Sequence, residues 1–310
     1  MQTTLNTTVS FDGIGLHSGK AARLTLVPAP AEQGIRFLRR DVTDRDPRIL
    51  ARWDRVQQGE LCTRISNDDG VHVSTIEHVM AAISGCGIHN LTVELDGPEV
   101  PILDGSSAPF VEAILRAGLR RLGAPVRALR VLETVEVRNG AAFARLEPAD
   151  ALEIDFSIAF DDAAIGRQNR VISLRRDAFA AELADSRTFC RKADVDAMRA
   201  RGLALGGSLE NAVVVDGAQV LSPGGLRHAD EAVRHKMLDA IGDLALAGAP
   251  LLARYTGNRA GHAMTNALLR TLFAQPGACR LVVADTALSQ RLPGGAEPAV
   301  RPQERQLVPA

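Results

Sequence analysis

The first sixty residues alternate between apolar and polar positions. Arg23-Leu24-Thr25-Leu26-Val27 and Gly34-Ile35-Arg36-Phe37-Leu38 each set every second side chain on one face, the period of antiparallel strands with one buried side. From Ser74 the period lengthens to that of a helix, which Gly85 and Gly87 end. Asn90-Leu91-Thr92-Val93-Glu94-Leu95 returns to alternation, and a second helix is predicted over 108–119 after the turn Leu103-Asp104-Gly105. Residues 121–125 read as a linker. The second half repeats the plan: strands within 129–160, a connecting region, a helix through His235, a strand over 250–255 and a helix over 262–273. From Thr286 onward the pattern dissolves into Gly, Pro, Arg and Gln, the composition of a flexible tail. The expected fold is therefore α+β, with similar domains over 1–125 and 126–285 and a tail over 286–310.

The helix through His235 carries the most informative polar positions. His235 and Asp239 are four apart and Asp243 lies four further on, so the three share a stripe, while Val233, Met237, Ile241 and Leu244 form the opposite, core-facing side. An imidazole and a carboxylate on adjacent turns can supply two ligands to zinc, although a solvated acidic face has the same spacing. In the first half, Glu77-His78 sits at another helix start. Ser74-x-x-Glu77 has the form of a capping box with Ser74 as N-cap, and His78 taken alone reads first as a hydrogen-bonded core histidine. Together the two helices offer two histidines, an aspartate and a spare glutamate. That is the inventory of a catalytic zinc site: three protein ligands, an open position and a carboxylate base. Gly261-His262 adds a histidine at a helix start, where a general acid could sit.

Composition narrows the class without choosing it. A chain of 310 residues can bury two cores, and a net charge of −1 argues against a general nucleic-acid binder. Cys62, Cys86, Cys190 and Cys279 show neither paired nor metal-type spacing, as expected in a reducing cytosol. No signal pattern opens the chain, and its longest apolar run, 244–253, is broken by Gly248 and Pro250 at about half a bilayer span. A soluble cytoplasmic protein is expected.

Several runs in order along residues 5–285 resemble the UDP-3-O-acyl-N-acetylglucosamine deacetylases, zinc amidases of lipid A biosynthesis in Gram-negative bacteria. They are Gly13-Ile14-Gly15-Leu16-His17-Ser18-Gly19, Thr75-Ile76-Glu77-His78, Pro101 to Ser106, Ser186-Arg187-Thr188-Phe189, Gly202 to Ser208, Val233 to Asp243 and Gly261-His262. The resemblance implies two α+β domains with their helices sandwiched between the two sheets and the active site at the domain interface. It implies zinc-dependent hydrolysis of the N-acetyl group of a UDP-3-O-(3-hydroxyacyl)-N-acetylglucosamine, giving acetate and the free 2-amine. Zinc would be held by His78, His235 and Asp239. Glu77 would take the proton of the attacking water, Thr188 would help hold the oxyanion, and His262, kept charged by Asp243, would protonate the leaving amine.

For the substrate, Lys236 flanks the site to meet anionic groups, and Phe189 matches the residue lining the sugar pocket. Leu61 and Cys62 match the loop over the metal, Arg259 a basic position near the diphosphate, and Phe160 is a candidate for uridine stacking. Val195, Ala204, Gly207, Ser208 and Val214 match the inserted element that forms an apolar passage for the acyl chain. Three departures stand out: Asp161-Asp162-Ala163 where relatives commonly have Asp-His-Pro, Ala204 where a larger residue can occur, and His89 where relatives often carry Asp. The expected partner is the acylated UDP-sugar, with no nucleic acid and no transmembrane segment, transient membrane proximity left open, and a monomeric state. The competing readings are a zinc deacetylase of another N-acetyl sugar, opposed by the acyl-passage segment, and a catalytically silent binding protein of the same fold, opposed by the intact polar set.

Overall fold

Burial alternates along the chain as the sequence predicts. Ala22, Leu24 and Leu26 of the strand Ala21–Pro28 point inward, as do Leu152, Ile154, Phe156 and Ile158 of Leu152–Ala159. The structure, a computed structural model, describes residues 1–57 and 61–294. In the first half, five strands lie side by side in the order Val9–Ile14, Ala21–Pro28, Leu91–Leu95, Ile35–Arg39, Arg48–Leu50. In the second half, Val135–Asn139, Ala142–Pro148, Leu251–Asn258, Leu152–Ala159 and Arg167–Ser173 follow the same order. Arg127–Val131 and Cys279–Val283 extend this second sheet.

In both sheets the central strand runs antiparallel to one neighbour and parallel to the other. The expectation of purely antiparallel pairing fails for Ile35–Arg39 with Leu91–Leu95. The chain between those strands is long enough to cross over and includes a helix, so they can run the same way.

Among the described residues the helices are α1 (Glu77–Gly85), α2 (Ala108–Ala117), α3 (Ala178–Glu182), α4 (Lys192–Ala200), α5 (Glu231–Leu244), α6 (His262–Ala274) and α7 (Thr286–Ser289). Helices α1 and α5 precede the central strands of their sheets, and α2 and α6 follow them. α1 packs along α5, α2 touches Val9–Ile14, and α6 lies on Val135–Asn139 and Ala142–Pro148. One continuous core joins Leu24, Phe37 and Val93 of the first sheet, Val79, Met80, Met237 and Ile241 of the paired helices, and Leu146, Phe156 and Tyr255 of the second. The helices are thus held between two sheets. A Cβ at Gly242 of α5 would overlap the Glu77 carbonyl oxygen, so at this glycine the two helices approach backbone to backbone.

Several predicted boundaries move. The helix after Leu103 ends at Ala117, where Gly118 takes φ 74°, and Leu119–Arg121 forms a strand against Thr3–Leu5. The linker is tied down further by Gln2 N–H to Ala124 O and Leu122 N–H to Gln2 O, both 2.8 Å. Residues 286–294 do not behave as a tail: Leu288 and Leu292 bury against Val126, Ala128 and Leu252. The rest of the expected tail lies outside the described residues. No helix among the described residues is long and apolar enough to cross a membrane.

Candidate active site

The chain enters α1 from the strand His72–Ser74 through Thr75, whose φ of 60° is left-handed. This places Ser74 outside the helix: α1 begins at Glu77 with Ile76 as N-cap and has no side-chain cap bond. The capping-box expectation is therefore overturned. Glu77 turns instead toward the 61–63 segment, where its Oε2 accepts the Thr63 N–H at 3.0 Å.

Next to it, His78 meets α5 across the close helix contact. The His78 and His235 rings lie edge to face with centroids 5.0 Å apart, and the ligand atoms of His78, His235 and Asp239 all lie within 4.8 Å of one another. All three residues are buried, which overturns the solvated-face reading of α5. His235 Nδ1 donates to the Ser186 carbonyl at 3.0 Å, because a carbonyl can only accept; in the neutral ring its Nε2 then carries a lone pair. Burial holds the imidazole neutral, lowering its pKa to about 4 despite the nearby Asp239 charge. That Nε2 faces Asp239 Oδ1 at 3.3 Å, and His78 Nε2 lies 3.6 Å from the same oxygen. Asp239 Oδ1 is buried without a hydrogen-bond partner, whereas Oδ2 accepts Lys236 Nζ at 2.6 Å. A buried anionic oxygen facing an imidazole lone pair is costly unless a cation joins them. The two-histidine, one-aspartate donor set suits zinc.

Proton carriers flank this set. His262, the first residue of α6, donates Nδ1–H to Asp243 Oδ2 at 2.8 Å, and its Nε2 faces Glu77 Oε1 at 3.8 Å and Asp239 Oδ2 at 3.9 Å. Burial opposes its charged form, but the carboxylates of Asp243, Glu77 and Asp239 outweigh this and push its pKa up to about 9. Burial raises the Glu77 pKa against the pull of His262 and His78. Asp243 is no surface residue. Its other oxygen accepts the Thr63 hydroxyl, so Thr63 braces Glu77 with its backbone and Asp243 with its side chain.

Comparison with known proteins identifies the family. The sequence model of the UDP-3-O-acyl N-acetylglycosamine deacetylases (LpxC) matches residues 2–274. The chain belongs to that family. A relative from Anaeromyxobacter sp. (strain Fw109-5), named UDP-3-O-acyl-N-acetylglucosamine deacetylase, is 49% identical over 91% of this chain and 91% of its own length. Proteins of the same name from Phenylobacterium zucineum (strain HLK1) and Shewanella sp. (strain ANA-3) are 49% and 42% identical, over 90% and 95% of this chain and 96% and 98% of their own.

Around the polar set of this deacetylase-family chain, the other expected residues fall in two groups. Close to it, Phe189 faces the His235 ring edge to face at 6.3 Å and Phe160 meets Phe189 at 5.4 Å. Lys236 is bound to Asp239 rather than solvated; burial opposes its charge, but the adjacent carboxylate raises its pKa. Burial, with the nearby Glu77 charge as a lesser cause, pushes the Cys62 thiol up to about 12; neighbouring Leu61 is 56% exposed at φ 63°. Thr188 follows Ser186 by two residues, with its backbone bonded to Gly105 and Val213. Arg259 is exposed at φ 50°, three residues before His262.

The second group belongs to the insert between Arg167–Ser173 and α5. Val195 is half-buried on α4, and Val214 is buried in a strand paired with Cys190; neither joins the polar set. Ala204, Gly207 and Ser208 lie in a loop that crosses to the first half. There Leu205 N–H donates to His17 O at 3.2 Å and Gly206 N–H to Leu16 O at 3.0 Å. Cys62, Cys86, Cys190 and Cys279 are free thiols.

Reading the sequence missed three participants. Thr63 braces two carboxylates, Ser186 orients His235, and His17 stands where the insert loop docks. His17 Nδ1 accepts the Ala204 N–H at 3.4 Å, and Glu99 holds the His17 backbone N–H at 2.7 Å. Burial lowers the His17 pKa against the opposing pull of the Glu99 charge, and the His262 charge adds to the lowering. Its presence in the matching hairpin was the one available signal.

Proposed function

We propose that the protein hydrolyses the N-acetyl group of a UDP-3-O-acyl-N-acetylglucosamine to acetate and the free 2-amine, the deacetylation step of lipid A biosynthesis, with zinc as its metal. The observation that carries the reading is the buried Asp239 Oδ1, unpartnered and facing two imidazoles, with a buried glutamate and a charged histidine beside it. His78, His235 and Asp239 would hold the ion. When bound, zinc supplies Lewis acidity, polarising a carbonyl and lowering the pKa of water toward ~7.

The protein's own groups move the protons. Glu77, whose raised pKa brings it closer to that of a base working near neutrality, takes a proton from the attacking water. The water oxygen bonds to the amide carbon, and the Thr188 hydroxyl donates to the carbonyl oxygen as charge builds there. His262 then gives its Nε2 proton to the nitrogen as the C–N bond breaks, with Asp243 stabilising the imidazolium until that moment. Lys236 donates to Asp239 Oδ2, which leaves Oδ1 for the ion that Asp239 would hold, and faces the anionic part of the substrate. Phe189 and Phe160 wall the sugar and uridine side, Arg259 stands toward the diphosphate, and Leu61 and Cys62, beside Glu77, would border the metal. Val195, Ala204, Gly207, Ser208 and Val214 belong to the acyl side. We take the enzyme to act as a cytoplasmic monomer of two domains, 1–125 and 126–285.

The test is a deacetylase assay on UDP-N-acetylglucosamine substrates with and without a 3-O-acyl chain, with metal content measured alongside. Acetate release from the acylated sugar, dependent on about one zinc per chain, supports the reading. Equal turnover of the non-acylated sugar, or full activity in metal-free protein, would sink it.

A further inference from the structure

Arg187 sits in the run Ser186-Arg187-Thr188-Phe189, yet the proposed chemistry gives it no task. Its side chain is 7% exposed, and that of its partner Glu231, the first residue of α5, is 1% exposed. Glu231 Oε1 accepts the Arg187 backbone N–H at 3.0 Å and Nε at 2.9 Å; Oε2 accepts Arg187 Nη2 at 3.1 Å and the Arg227 backbone N–H at 2.7 Å. Four donors thus converge on one carboxylate. The Arg187 guanidinium also donates to Gly225 O at 2.7 Å. Arg227 in turn reaches the first half, donating to Asp104 Oδ2 at 3.0 Å.

The decisive point is covalent. The Arg187 N–H and the Ser186 carbonyl are the two ends of one planar peptide unit. One end is fixed by Glu231, and the other accepts the His235 Nδ1–H at 3.0 Å. Glu231 and His235 lie four apart on α5, so the peptide is clamped between adjacent turns of the helix it serves. A carboxylate on the N–H also makes the carbonyl a better acceptor, since hydrogen bonds in series polarise one another.

We propose that Glu231 and Arg187 are a buried positioning pair which, through the 186–187 peptide plane, sets the tautomer and orientation of His235 and the place of Thr188. The pair does for His235 what a directly bonded carboxylate does for a metal-binding histidine elsewhere, with a peptide group in between. The inference rests on the reading of His235 as a metal ligand.

The experiment compares wild type, E231Q, R187K and the control R39M, which breaks a bidentate pair with Asp41 in the first half. Zinc affinity is measured by chelator competition, kcat and KM on the acylated sugar, and the His235 tautomer by 15N-imidazole NMR, all well below each melting temperature. Glutamine offers one acceptor oxygen to four donors, so E231Q should bind zinc ~10–100-fold more weakly, the usual scale for groups that orient a ligand. It should lose kcat to a similar degree with KM nearly unchanged, and its His235 Nδ1 proton should exchange faster. R187K, which keeps the charge but loses the fork, should show the same pattern more weakly. R39M should lower the melting temperature alone.

If E231Q and R187K melt earlier yet keep wild-type zinc affinity, kcat and tautomer, the pair is a structural staple and the proposal falls. It also falls if neither variant folds, since the pair then belongs to the folding core. Wild-type protein that neither binds zinc nor deacetylates would strike the underlying reading instead.

Discussion

Asp243 gives His262 its charge, and that makes a simple prediction. The His262 pKa stands at about 9 because three carboxylates outweigh its burial. Asp243→Asn keeps an oxygen to accept the Nδ1–H but removes the charge. The basic limb of the kcat profile should then move to lower pH by about one unit or more, and an unmoved limb would refute the assignment. Linkage has the same sign: this raised pKa contributes stability fully below the unfolded value of 6.5, lost as pH rises through about 9.

His89 gives the opposite case. Its Nδ1 accepts from Thr3, and burial, aided by the N-terminal charge, lowers its pKa to about 4. The unfolded chain therefore binds a proton between pH 6.5 and 4 that the folded chain refuses, at a cost of up to about 3 kcal/mol. Urea midpoints at pH 7.5 and 4.5 should fall further for wild type than for His89→Gln; equal drops would refute this. At this scale the sequence was legible for most residues whose type shows chemistry: Glu77, His78, His235, Asp239, Asp243 and His262 all converge, while His17 was passed over. Thr63 was not legible, because its partner Asp243 lies 180 residues away and a lone threonine carries no local signal.

Elements were readable by period and less so by ending. Helical spacing on α5 correctly put Val233, Met237 and Ile241 in the core, but it could not show that the opposite face is buried too, since α1, the start of α6 and the Thr63 and Ser186 segments, all distant in sequence, cover it. The capping box failed for a backbone reason: Thr75 in a left-handed conformation cuts Ser74 off from the helix, a constraint that leaves no trace in residue type. The parallel strand pair escaped because alternation reports a face and not a direction.

The element most exposed to test is the α1–α5 contact at Gly242. Gly242→Ala should cost about 1–3 kcal/mol by overpacking and weaken zinc binding at least ~10-fold, because separating the helices separates His78 from His235. Gly97→Ala, where nothing lies within 4 Å of an added Cβ, should stay within about 1 kcal/mol of wild type. Denaturant melts and chelator competition on both variants check this. Similar behaviour of the two would show that the helix approach is not critical.

For the molecule as a whole, the continuous apolar core predicts that metal supports chemistry rather than folding. Chelation should abolish activity, leave far-UV circular dichroism near its holo value and lower the melting temperature only by the lost binding linkage. Collapse of the fold on chelation would contradict this. The doubled plan was legible from repeated alternation, whereas the face-to-face docking of the halves rested on family resemblance, since no local pattern encodes it.

That docking has one more consequence. The three residues that could hold the metal come from equivalent helices of the two repeats, one histidine from α1 and a histidine and an aspartate from α5. A chain whose sheets have each formed but have met in the wrong register holds an incomplete set and cannot retain the ion. With these residues as the ligands, metal capture would be a built-in inspection of assembly: only a molecule whose two copies of the unit have closed on each other correctly would become an enzyme.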